Sequence, residues 1–172
     1  MESEKVLKTA LEFEKKICDV YRSAESTVDD ARGKSIFREL ASDEQSHIDF
    51  LENSLELLQK GGKIDPDQLQ TTIPDAEALR QKAEKMKTKV PEKMLGDVKT
   101  IFNSALKMEI ETSDFYREAA AQTEGDIRRV MEKFLEIEER HTAVVRFELD
   151  YAARNGHWFD FMEQNMEVGW HE

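Results

Sequence analysis

Apolar residues recur every three or four positions along four long stretches of the chain, the spacing of a single buried stripe on a helix. The first stretch runs from about Ser3 to Val28 and places Leu7, Ala10, Leu11, Ile17, Cys18, Tyr21 and Ala24 on one face. The second runs to about Lys60 through Phe37, Leu40, Ala41, Ile48, Leu51 and Leu55. A third begins between Pro91 and Asp97 and continues to about Thr123. A fourth follows Gly125-Asp126, an N-cap candidate, to about Arg154. Asp29-Asp30-Ala31-Arg32-Gly33 reads as the turn between the first two helices, and Gly61-Gly62 as the end of the second. Short helix–helix connections favour antiparallel neighbours, so the helices are expected to pair as two hairpins. Residues 61 to about 96 carry the breakers Ile64-Asp65-Pro66 and Ile73-Pro74-Asp75. Between Asp75 and Lys89 lies a polar helical stretch whose few core candidates are Ala78, Leu79 and Met86. This segment reads as a crossover with a short helix, long enough to return the chain to the other end of a bundle.

The predicted fold is therefore all-α, a four-helix bundle over residues 1–154 in which two antiparallel hairpins are joined by a crossover at about 61–96. Residues 155–172 form a tail of different composition. Asn155-Gly156 breaks the last helix, and His157, Trp158, Phe159, Phe161, Met162 and Trp170 crowd aromatic side chains into it. The expectation is a cap packed on the bundle or on a second subunit.

Charged and polar residues interrupt the apolar stripes in a particular way. Glu44 and His47 stand three residues apart inside the second stripe, as do Glu138 and His141 inside the fourth, so each pair shares a helix face that points inward. A charge in such a position is costly unless it is compensated. Glu14 also breaks its stripe, and alone it would read as a boundary residue reaching for solvent. It does not stand alone. Ala10-Leu11-Glu12-Phe13-Glu14 followed by Tyr21 is matched by Ala105-Leu106-Lys107-Met108-Glu109 followed by Tyr116, 95 residues on. The two Glu-x-x-His pairs repeat at an offset of 94. The chain thus carries the order Glu, Tyr, Glu-x-x-His twice. Four carboxylates and two imidazoles would converge from four helices, and two divalent ions would cancel the four negative charges. Oxygen-rich donors with one nitrogen per ion suit iron or manganese, with zinc as an alternative occupant.

Composition narrows the partners. The formal net charge is -12 and 36% of residues are charged. Nucleic acid binding needs a basic surface, and an anionic membrane surface is disfavoured by the same charge, so neither is expected as a partner. No apolar run approaches the length of a membrane span. The N-terminus lacks a signal-peptide pattern, and Cys18, the single cysteine, has no internal disulfide partner. The expected location is the cytoplasm, and Cys18 reads as a small buried hydrophobe.

On Glu14, Tyr21, Glu44, His47, Glu109, Tyr116, Glu138 and His141 the chain resembles the rubrerythrin branch of the ferritin-like superfamily over roughly residues 5 to 150. The resemblance implies a ferritin-like bundle with two iron ions. Glu44 and Glu138 would bridge them, Glu14 and His47 would complete one ion, and Glu109 and His141 the other. Tyr21 and Tyr116 would donate hydrogen bonds to ligand carboxylates. It also implies an oxidoreductase that reduces hydrogen peroxide (or oxygen) with electrons from an external donor such as a rubredoxin-like protein, and a homodimer. Two departures stand out. The four cysteines of a rubredoxin-type iron centre are not present. Position 112, where peroxidase-type members supply a further glutamate, is Thr112, so the site is closer to a six-ligand form. Iron handling by a ferroxidase, and a non-enzymatic metal-binding scaffold, remain as alternative functions.

Overall fold

A computed structural model describes residues 2–82 and 87–162. Four long helices dominate it: α1 (Ser3–Thr27), α2 (Ala31–Gln59), α4 (Leu95–Gln122) and α5 (Gly125–Asn155), with a short α3 (Ala76–Lys82) in the crossover. The hairpins are α1 with α2 and α4 with α5, and the architecture is the ferritin-like bundle. Helices α1 and α4 lie against each other and run antiparallel, so that Phe13 stacks on Phe115 with ring centroids 5.0 Å apart.

The helix ends have local causes. Asp30 caps α2 by accepting from the Gly33 amide at 3.0 Å, which takes Ala31, Arg32 and Gly33 into the helix and shortens the expected turn. Asp126 is not the N-cap of α5. Glu124 holds that position without a side-chain bond, and Asp126 lies in the first turn, where its charge favours the helix dipole. Helix α5 ends at Gly156, whose φ of 65° is the left-handed conformation that a glycine adopts without steric cost.

The crossover differs from its expectation in one respect. The short helix covers Ala76–Lys82, and beyond the undescribed residues 83–86 Lys87–Lys89 forms strand β1, antiparallel to β2 (His157–Phe159), with Thr88 opposite Trp158. Helical periodicity in a polar stretch does not exclude a short extended segment whose partner lies some 70 residues away. Leu79 is buried, while Met86 lies outside the described residues.

Strand β2 delivers the start of the tail into the bundle. Trp158 and Phe159 are fully buried. The Trp158 indole meets Phe37 and Phe102 edge-on, each with centroids 6.1 Å apart, contacts worth about 0.5–1.5 kcal/mol apiece beyond area burial. Gly33 makes room for it: a Cβ there would stand 2.5 Å from Cζ2 of Trp158. The rest of the tail, residues 163–172 with Trp170, lies outside the described residues.

The core has two parts. One, around Tyr21, Phe37, Phe102 and Trp158, fills the end of the bundle where α1 meets α2. The other, around Leu7, Leu51, Tyr116 and Phe134, fills the opposite end. Between them, at the waist, all four long helices contribute buried ionisable side chains. No helix among the described residues is long and apolar enough to cross a membrane.

Candidate metal centre

The waist is built by helical periodicity. Glu14 lies on the buried face of α1 between Ala10 and Ile17. Glu44 and His47 continue the α2 stripe of Leu40 and Ala41 toward Ile48 and Leu51. Helix α4 supplies Glu109, and α5 supplies Glu138 and His141. All six side chains are fully buried, and their donor atoms fall into two groups. Glu14, Glu44, His47 and Glu138 form one; Glu44, Glu109, Glu138 and His141 form the other. Within each group the atoms lie within 4.8 Å of one another. Glu44 and Glu138 belong to both groups, so they occupy the centre and the other four residues flank them.

The closest approaches run through the imidazole Nδ1 atoms. His141 Nδ1 is 2.6 Å from Glu44 Oε1 and 3.3 Å from Glu109 Oε2. His47 Nδ1 is 3.5 Å from Glu14 Oε1 and 3.7 Å from Glu44 Oε2. These are close imidazole–carboxylate ion pairs whose geometry is poor for hydrogen bonding. All eight carboxylate oxygens of the four glutamates, and both Nδ1 atoms, lack a hydrogen-bond partner among the described residues. Buried polar atoms are nearly always satisfied, and ten converging orphans in one place call for a bound cation. The donor set fits two divalent ions: oxygen-rich, with one nitrogen for each group.

Electrostatics lead to the same conclusion. Burial, and then the Glu44 charge, push the Glu14 pKa up. Glu138 is raised well above the ordinary value by burial and then by Glu109 and Glu14, and burial raises Glu109. Burial opposes the charge on Glu44 too, but His141 and His47 outweigh it and hold its pKa low. His47 is pushed up to about 10: burial resists, while Glu14 and Glu44 prevail. The cluster on its own therefore retains protons that bound cations displace.

The opposite side of each imidazole has a different partner. His141 Nε2 donates to Asp43 Oδ2 at 2.6 Å, and His47 Nε2 donates to the Gln70 carbonyl at 3.1 Å. Protons held on Nε2 leave the Nδ1 atoms as the ones that could ligate a metal. Asp43, which the sequence reading missed, also accepts from the Thr71 hydroxyl at 2.8 Å and from the Thr72 amide at 3.0 Å. Arg140 Nη1 donates to the Ile73 carbonyl at 3.2 Å. The crossover is thereby strapped across the Nε2 side of both histidines. Burial opposes the Asp43 charge, but the His141 hydrogen bond, the two imidazoles and Thr72 hold its pKa well below the usual carboxylate range.

Tyr21 and Tyr116 are fully buried, one in each part of the core. The Glu14 carboxylate acts on the Tyr116 phenol as a charged and hydrogen-bonding neighbour, while the Tyr21 hydroxyl has no hydrogen-bond partner among the described residues. Burial first, and then Glu109 for Tyr21 and Glu14 for Tyr116, push both phenols well above their ordinary pKa. The hydroxyls therefore lie within the field of the cluster and keep their protons. The Thr112 hydroxyl donates its proton to the Met108 carbonyl at 2.8 Å. Cys18 is buried, as its sequence context suggested.

Four antiparallel helices around a shared cluster of four glutamates and two histidines define a di-metal carboxylate bundle. The comparison with protein families identifies which one: the Rubrerythrin family model matches residues 5–149, and the chain belongs to the rubrerythrin family. Comparisons with the curated proteins and with the solved structures returned no match.

Proposed function

We propose that the protein is a di-iron oxidoreductase of rubrerythrin type that reduces hydrogen peroxide with electrons from an external donor. The observation that carries the reading is the sharing of Glu44 and Glu138 between two donor groups whose ten donor atoms are otherwise unpartnered. Two adjacent ions suit a two-electron reduction, in which hydrogen peroxide takes up two electrons and two protons and leaves as two waters. Iron, when bound, supplies the electrons and the Lewis acidity that cleave the O–O bond.

The chain's own residues prepare the site. Glu44 and Glu138 set the spacing between the two groups. Asp43 and the Gln70 carbonyl orient the imidazoles through Nε2, a support that raises ligand basicity and fixes the ring. The two cores exclude bulk water from either end. The 172 residues hold one cysteine and no four-cysteine centre of their own, so the reading assigns electron supply to a separate rubredoxin-like donor. Resemblance to the family supports a homodimer.

The test is peroxide consumption by the reduced, iron-loaded protein beside a Glu138→Ala variant. The reading expects turnover in the first and its loss in the second, because Glu138 serves both groups; equal rates would refute it. Thr112, standing where peroxidase-type relatives place a further glutamate, favours a second reading: ferrous iron oxidation by oxygen at a six-ligand site. Faster oxidation by oxygen than by peroxide would select that one.

A further inference from the structure

The two halves of the repeat are not equally sealed. In the first half Cys18 lies in the α1/α2 seam one helical turn beyond Glu14. Its thiol faces the Ala41 carbonyl at 3.6 Å, and Arg22 covers it, donating from Nε to Cys18 Sγ at 3.3 Å and from Nη2 to Gln45 Oε1 at 2.7 Å. The neighbouring position on α2 is the buried Ile48. The seam beside Glu14 and His47 is apolar, satisfied and bridged by a guanidinium.

The repeat places Ser113, Arg117, Glu139 and Thr142 at the equivalent positions of the second half. There the arrangement opens. Arg117 turns along its own helix to Asp114 at 2.9 Å and does not bridge the seam. A pocket of about 230 Å³ is left between α4 and α5, lined by Ser113, Thr142, Arg117, Arg146 and Ile110 among others. Ser113 is 7% exposed, and its Oγ, like Thr142 Oγ1, is buried without a hydrogen-bond partner among the described residues. A buried hydroxyl left unpaired costs about 1–3 kcal/mol, so these two require a polar visitor. Ser113 is one turn beyond Glu109, and Thr142 directly follows His141. The pocket therefore opens on the α4/α5 seam at the helical turns that carry Glu109 and His141.

We propose that the α4/α5 seam at Ser113 and Thr142 is the entry port for small neutral polar solutes to the metal centre, hydrogen peroxide above all. The mouth carries Arg117 and Arg146 against Asp114 and Glu139, so it has no net charge to attract or repel ions. Its two hydroxyls donate to and accept from peroxide, which hydrogen-bonds, and gain nothing from oxygen, which does not. The choice of peroxide rests on the function proposed above, but the port itself does not.

The port is tested first without metal chemistry. In a Cys18→Ala background, a Ser113→Cys variant is treated with methyl methanethiosulfonate, a small neutral thiol reagent. Its thiol is expected to react at least tenfold faster than Cys18 of the unaltered chain, and adding Thr142→Ile, the residue type of the first half, is expected to slow it. Reaction no faster than that of Cys18 would overturn the port. In the iron-loaded protein, Thr142→Ile is expected to slow oxidation by peroxide at least threefold at unchanged metal content. An unchanged rate there, with the unaltered protein active, would overturn the peroxide route. Absence of any peroxide reaction in the unaltered protein would count against the proposed function instead, while the thiol result still decides the port.

Discussion

Asp43 ties three parts of the site together through one carboxylate. It accepts from His141, stands 3.6 Å from His47 Nε2 and receives the crossover at Thr71 and Thr72. Removing its charge in Asp43→Asn while keeping its shape is expected to weaken metal binding about tenfold to a hundredfold, the usual effect of losing a partner behind a ligating histidine. Competition with a chelator of known affinity measures this, with circular dichroism as the control for folding; unchanged affinity would show that Asp43 does no more than hold the crossover. The convergence of the six candidate donors was legible in the sequence because each interrupts an apolar stripe and each recurs in the other half. Asp43 does not recur: its equivalent in the second half is Ile137. The repeat that exposed the candidate donors hid the residue that serves both histidines, and the only local sign was its i, i+4 spacing to His47. The tyrosines recur as those six residues do, and are buried as they are. Recurrence reported that they are inside, and did not report what their hydroxyls touch.

At the scale of elements, the helices were readable to within a few residues because 3.6-residue periodicity and helix punctuation are local signals. The pairing of β1 with β2 was not, since its register depends on residues far apart in sequence. Its consequence is that the start of the tail, through Asp160, is held by the bundle interior. The Phe159 amide donates to Glu148 Oε1 at 2.7 Å, and Thr88 hydrogen-bonds Asp160. Glu148 is fully buried two turns beyond His141. Burial, opposed by the Phe159 amide and reinforced by the Asp160 charge, raises its pKa well above the ordinary 4.5. A carboxyl raised in this way favours the folded state fully below its unfolded pKa, and that contribution is lost as pH climbs from there through the folded value. Relative to Glu148→Gln, the protein is expected to lose up to about 1.4 kcal/mol of stability per pH unit in this window. Urea denaturation of both proteins from pH 5 to pH 8 measures it, and a pH-independent difference would contradict the assignment.

At the scale of the whole molecule, the fold is a duplicated hairpin with its chemistry at the waist. The duplication explains why a single sequence suffices to locate the centre. It also shows where the halves have diverged: one seam closed over Cys18, the other open beside Ser113, and one aspartate in place of two. Four carboxylates and two imidazoles inside one bundle carry a large electrostatic cost when empty, and cations that neutralise them couple occupancy to stability. The measurement that bears most directly on the account is metal content by elemental analysis, joined to optical spectra of the reduced protein before and after adding peroxide or oxygen. The account predicts about two irons per chain, as two four-donor groups require, with rapid oxidation by peroxide and slow oxidation by oxygen. A reconstituted protein that holds no metal would contradict the centre itself, and oxidation faster with oxygen than with peroxide would contradict the reaction assigned to it.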